Sequence, residues 1–249
     1  MQSEQNPWDT LAGMFQTGDA KKTDPFAADN MCIAWPAIRM DLEALPRHRN
    51  THIIDFGCGS GGFCRTLCRD GYRATGIDSS IEMIEKARTI PTPFLNYIHG
   101  DERALERIAI KADAITSIMA LQFIEDLDPF IRAAYKALKL EGSAVIAVFN
   151  PGFIERCVKD GKLFEKQPGR DQAYDMRMIG QAIPTYIRDE AWHQDAFEAK
   201  GFKLEKTVYP KFTDDFLRLF RWELPSDVPE YMIMTFRKND QSNPLTRPE

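Results

Sequence analysis

The chain has 249 residues, which suits one large α/β domain, and its 43% hydrophobic and 28% charged residues are those of an ordinary globular protein whose core needs no disulfide or metal. A formal charge of −5 argues against a general binder of nucleic acid or anionic membrane, since such affinity comes from a cationic surface. No apolar run approaches the ~20 residues that span a bilayer, and the opening MQSEQNPWDT lacks the cationic start and apolar stretch of a signal peptide. The five cysteines (Cys32, Cys58, Cys64, Cys68 and Cys157) are odd in number and show no disulfide-framework spacing. That pattern suits a reducing compartment, so a cytoplasmic protein is expected.

In chain order, residues 1–50 read as a helical lead-in, with helices over 8–15 and 26–45, the second started or kinked at Pro36. From His52 a regular alternation begins. A strand over 52–56 (HIIDF) runs into the glycine-rich loop 57–62 (GCGSGG) and a helix carrying Phe63 and Leu67, stopped at Gly71. A second strand over 73–78 leads to a helix over 79–88, where Ser79 and Glu82 have capping-box spacing. A third strand over 94–100 precedes a short helix over 102–109. The fourth strand, 112–119, is continuously apolar, as expected when both faces are buried. Asp128-Pro129 opens a helix over 128–140 by N-capping it, and a fifth strand covers 143–150. Strands alternating with helices at this spacing predict a doubly wound, mostly parallel sheet with helices on both faces. Residues 151–187 form a long insert after the fifth strand. A helix (188–202), a sixth strand (202–209), a helical insert near 213–221 and a seventh strand (230–238) complete the unit, with 239–249 as a flexible tail.

In an open parallel sheet, ligands lie beyond the carboxyl ends of the strands near the reversal of strand order, and the 57–62 loop leaves the first strand there. Gly57, Gly59 and Gly62 also match the dinucleotide fingerprint, so the glycines alone leave a nicotinamide or flavin oxidoreductase open. Asp55, just before the loop, favours a cationic ligand over a pyrophosphate. Asp78 ends the second strand, where an acid accepts two ribose hydroxyls, and Asp101 ends the third, where an exocyclic amine is within range.

With the string 53–61 (IIDFGCGSG), Asp78 and Asp101 in place, the chain resembles the class I S-adenosylmethionine-dependent methyltransferases, strongly over 50–150 and more loosely over 188–238. The resemblance implies a class I methyltransferase-like, seven-stranded sheet. It also implies a cofactor, S-adenosyl-L-methionine, held at Asp55, Gly57, Cys58 and Gly59 (methionine end), Asp78 and Ser79 (ribose), and Asp101 and Glu102 (adenine). Residues 117–126 (SIMALQFIED), including Met119, look like the family's fourth motif, which borders cofactor and substrate. Trp8, Asp9, Ala12 and Phe15 look like the lead-in of small-molecule members, with an aromatic at Phe15 covering the methionine end. The Asn/Asp-Pro-Pro-aromatic run of the families that methylate exocyclic or amide nitrogen is missing after the fourth strand. Asn150-Pro151-Gly152-Phe153 follows the fifth strand instead and reads as a turn. The implied activity is methyl transfer to a small molecule, by an enzyme without nucleic-acid or membrane partners. Alternatives are the oxidoreductase above and a protein that binds the cofactor without turnover.

Trp35, Gln122, Tyr174 and Arg177 are the candidate acceptor-binding residues, with Met176, Met178 and Arg170 beside them, because lead-in and insert both have the length to fold over the strand ends. No residue is singled out as a catalytic base. Cys64 and Cys68, one helical turn apart, read as small buried packing residues, and no metal site is expected. His193 reads as exposed, opposite Trp192 and Phe197, and His99 is placed at a strand end beside the adenine position.

Overall fold

The structure is a computed structural model, described here over residues 6–14 and 24–239. Strands β1 (His52–Phe56), β2 (Arg73–Asp78), β3 (Leu95–His99), β4 (Ala112–Ile118) and β5 (Leu138–Phe149) run parallel. With β9 (Phe202–Val208) and β10 (Tyr231–Lys238) they form one seven-stranded sheet in the order β3-β2-β1-β4-β5-β10-β9, in which β10 is antiparallel to both neighbours. Strand order reverses between β1 and β4, opening a crevice at their carboxyl ends.

Burial on both faces follows from alternation. Ile53 and Ile54, successive in β1, are both fully buried but belong to different halves of the core. One half packs α3 (Trp35–Leu42), α4 (Gly62–Arg69) and α5 (Ile81–Arg88) against the sheet. The other packs α6 (Glu102–Glu106), α7 (Asp128–Ala137) and α9 (Glu190–Glu198).

The lead-in holds α1 (Pro7–Leu11), α2 (Pro25–Asp29) and a π-helical turn (Asn30–Ala34) that runs into α3, with Pro36 in the first turn of α3. Asn6 donates to Ser79 Oγ (3.2 Å), Ser80 Oγ donates to Asp9 (2.5 Å), and Lys86 donates to the Ala12 carbonyl (2.6 Å), so α1 is tied to α5. Phe15 and residues 240–249 lie outside the described residues.

Several local expectations shift. Ser80, rather than Ser79, caps α5 and accepts from Met83 N (3.2 Å). Asp128 is already helical in α7, and Leu127 is the capping position, so Pro129 stands second in the helix, where a missing N–H is equally harmless. Strand β5 starts at Leu138 and consumes the residues expected to end α7. Asn150 does more than turn the chain: it caps α8 (Pro151–Lys159), accepting from Gly152 N (3.1 Å), with Pro151 at the first helical position. The insert is itself folded. After α8 come β6 (Phe164–Lys166), β7 (Ala173–Met178) and β8 (Gln181–Tyr186), an antiparallel sheet sharing a small core with Leu11, Phe149 and Phe153. The short α10 (Asp214–Leu219) precedes β10.

Candidate active site

The loop from β1 to α4 needs glycine at two points. Gly57 has φ +75°, and a Cβ there would lie 2.3 Å from the Ala120 Cβ. Gly61 has φ +78°, and a Cβ would meet the Tyr97 hydroxyl at 2.0 Å. Glycine thus lets the loop lie flat against the ends of β3 and β4. Gly57 N and Cys58 N donate to the Ile77 carbonyl (2.8 and 3.0 Å), fixing the loop to β2.

Asp78, at the end of β2, accepts from Gly59 N (2.8 Å) and Ser80 N (2.9 Å), joining the glycine loop to the start of α5. Desolvation raises its pKa. Asp55 is 2% exposed. It accepts from Thr116 Oγ1 (2.7 Å) and the Cys64 thiol (3.5 Å), yet burial outweighs both bonds and, with the nearby Asp78 charge, pushes its pKa to about 7. Asp101 caps α6 through Arg103 N (2.9 Å), so it does serve as a cap, as well as facing the crevice. Met119, directly after β4, takes a left-handed φ of +54° and donates its N–H to the Ala147 carbonyl (2.8 Å). Such a conformation is uncommon for a non-glycine residue, and here it turns the chain across the mouth of the crevice.

These groups line one cavity of about 390 Å³. Asp55, Gly57, Cys58, Gly59, Asp78 and Ser79 are in its wall, together with Asp101, Glu102 and Met119. Of the proposed acceptor residues, Trp35 is in the wall, tilted against Phe63 (ring centroids 5.4 Å apart), and so are Met176 and Met178.

Three are not brought there. Gln122 is buried beneath the wall, where its Nε2 reaches Met119 Sδ (3.8 Å). Arg177 points away, because successive residues of β7 alternate faces and Met176 and Met178 take the inner one. It is exposed and paired with Glu165 (2.7 Å). Tyr174 packs in the insert's own core outside the wall. Arg170 is likewise exposed, paired with Glu125. His193, expected on the surface, is 2% exposed. Its Nδ1 lies 2.8 Å from the Asp189 carbonyl one turn earlier, and desolvation lowers its pKa to about 4. His99 is exposed, 3.1 Å from the Ser79 carbonyl, and outside the wall. Among the described residues no cluster of ligating side chains would hold a metal.

Sequence reasoning missed Asp29, Asn30, Phe149 and Glu230, all in the wall. They come from three separated stretches of chain, and no motif spacing connects them.

Residues 54–146 match the family model described as "Methyltransferase domain". Over that stretch the chain is similar to methyltransferase domains. A ubiquinone biosynthesis O-methyltransferase of Bartonella quintana is 27% identical over 50% of this chain and 51% of its own. A malonyl-[acyl-carrier protein] O-methyltransferase of Enterobacter lignolyticus is 29% identical over 41% and 40%. The chain thus spans about half the length, or less, of these curated relatives. A solved S-adenosylmethionine-dependent methyltransferase from Mesorhizobium loti shares the fold with a TM-score of 0.61 and 23% identity, covering 82% of this chain and 96% of its own. The 54–146 match runs from β1 into β5 and takes in the glycine loop, Asp78 and Asp101. The lead-in and the small sheet lie outside it. Among the described residues, no helix is long and apolar enough to cross a membrane.

Proposed function

We propose that the protein transfers a methyl group from S-adenosylmethionine to a small-molecule acceptor, and that the two bind in the single cavity above β1 and β4. The observation that carries this is the chemistry of the wall. The glycine loop and the three strand-end acids share it with aromatic and methionine side chains, and no Lys, Arg or His among the described residues lines it. A cationic cofactor suits that wall, and a dinucleotide pyrophosphate does not. A Cβ added at Gly59 would meet nothing closer than Met83 Sδ at 4.0 Å, so the loop backbone is open to close approach by a ligand.

When bound, the cofactor supplies a methyl carbon already activated by its sulfonium. This chain's residues then have to orient and enclose. The backbone at Gly57, Cys58 and Gly59 would hold the methionine end, Asp78 and Ser79 the ribose, and Asp101 with Glu102 the adenine amine, with Met119 at the border between the two ligands. Asp78 is preorganised for this by its two backbone amides. Trp8, packed on Phe123 (4.7 Å between ring centroids), Trp35 and the methionines of β7 would exclude water and hold the acceptor in line, which is where proximity lowers the barrier most. In this reading residues 1–45 and the 151–187 insert are the lid and acceptor pocket. The five unpaired thiols fit a cytosolic enzyme.

Calorimetric titration with S-adenosylmethionine, S-adenosylhomocysteine and NAD⁺ tests the proposal, alongside Asp78→Ala. Binding of the first two, weakened at least tenfold in the variant, supports it. Binding of NAD⁺ alone overturns it.

A further inference from the structure

Beyond the glycine loop, the cavity wall contains two more acids. Asp29 ends α2, where the chain widens into the π-helical turn, and Glu230 immediately precedes β10. Their residues are 2% and 3% exposed. Asp29 is held by Asn30, whose backbone N–H and side-chain amide donate to Oδ1 (2.5 and 3.2 Å). Glu230 is positioned by its backbone, since its carbonyl accepts from Asn150 N (2.7 Å) at the end of β5. Its Oε2 is buried with no hydrogen-bond partner. The carboxyls are near enough to couple. Desolvation pushes Asp29 to about 6 and Glu230 well above its ordinary range, and the Asp29 charge adds to the Glu230 shift. Among the described residues the groups bordering the pair are Asn30, the Tyr231 phenol and the Cys32 and Cys157 thiols, with Lys162 and Arg156 on Cys157.

A buried acid pair with an unsatisfied oxygen is costly unless a ligand satisfies it. Asp29 caps the π-helical turn and hydrogen-bonds the Glu230 carboxyl and the Tyr231 phenol, which still leaves Glu230 Oε2 without a partner. The cavity wall also carries Leu163, Met176 and Met178 with Trp8, Trp35 and Phe149, whose aromatic faces attract a cation. An acceptor bearing a carboxylate or phosphate would meet two acids there, and among the described residues no basic side chain in the wall would hold it.

We propose that Asp29 and Glu230 are the acceptor-recognition pair of this site, and that the acceptor is an apolar or aromatic molecule presenting a protonated amine to them. This rests on the methyltransferase reading above. It goes further by naming the acceptor's chemistry and the residues that select it. Placing the ammonium at Glu230 Oε2 satisfies the orphaned oxygen and draws the pair toward its ionised form.

The test is calorimetry at pH 7.5, with and without saturating S-adenosylhomocysteine, using matched probes: 2-phenylethylamine, 2-phenylethanol and phenylacetate, and the cyclohexyl analogues of each. The wild-type protein is expected to bind an amine at least tenfold more tightly than its alcohol and acid partners. Asp29→Asn and Glu230→Gln, near-isosteric changes, are expected to reduce that preference to less than threefold while keeping S-adenosylhomocysteine affinity and the thermal midpoint. The proposal fails if no amine is favoured, if the preference survives in both variants, or if the acids bind best. Loss of S-adenosylhomocysteine binding in a variant that still unfolds at the wild-type midpoint would assign the pair to the cofactor's own amino group, and also overturns it. A wild-type protein that shows amine preference but no S-adenosylhomocysteine binding would sink the methyltransferase reading and leave the recognition pair standing.

Discussion

Asp55 shows how one residue carries two opposed requirements. Its place at the end of β1 makes it part of the ligand-facing wall, while the same burial removes the water that would keep it ionised. With its pKa near 7, the carboxyl is about half protonated at neutral pH, and a cationic ligand would favour the charged form and expel the proton. Binding of S-adenosylmethionine at pH 7 is therefore expected to release a fraction of a proton. The dependence of calorimetric enthalpy on buffer ionisation enthalpy reads this directly, and Asp55→Asn should abolish it. Unchanged proton release in the variant would mean that another group titrates. At Gly57 the constraint is steric, since any side chain meets Ala120 at 2.3 Å in a left-handed conformation. Gly57→Ala is expected to cost at least about 2 kcal/mol, read as a lower denaturation midpoint, from the unfavourable φ together with overpacking.

At the scale of elements, helix α9 carries a pH dependence that its sequence hides. His193 is buried and neutral, with a folded pKa near 4 against an ordinary 6.5. Below pH 6.5 the unfolded chain takes up a proton that the folded chain refuses, so stability is intact above 6.5 and falls as pH drops toward 4. The loss is about 1.4 kcal/mol per pH unit across that window. His193→Gln should remove this slope, so that the wild-type-minus-variant difference in thermal midpoint shrinks between pH 7 and pH 5. A constant difference would show that the histidine stays exposed to protons in the fold. On β7, alternation separates function from surface. Met178→Ala is expected to weaken ligand binding several-fold, whereas Arg177→Ala, which loses ion pairs with Glu165 and Asp175 outside the cavity wall, should leave it within twofold.

For the molecule as a whole, the cavity is an assembly of parts remote in sequence. The lead-in is fastened to α5 by the Asp9–Ser80 and Lys86–Ala12 hydrogen bonds, and through Trp8 it closes one wall. Asp9→Ala should lower S-adenosylhomocysteine affinity threefold to tenfold, about the worth of one hydrogen bond, measured by titration. An unchanged affinity would show that this fastening does not shape the site. What the sequence by itself determined about this protein is the part governed by near neighbours. Apolar alternation identifies the strands, Gly57 and Gly61 mark the tight loop, and Asp55, Asp78 and Asp101 recur at strand ends, which parallel topology alone brings to one edge. Local rules faltered where two neighbours compete for one role, as Ser79 and Ser80 do for the cap, or where a helix's partner was unknown, as for His193. The tertiary structure alone decided which further groups share the cavity wall. Asp29 and Glu230 stand 201 positions apart in a chain of 249, and Arg177 is excluded by the facing of a sheet whose pairing no local pattern reveals. Carboxyls so distant in sequence become neighbours only when the lead-in packs across the end of the last strand, and burial then changes their chemistry.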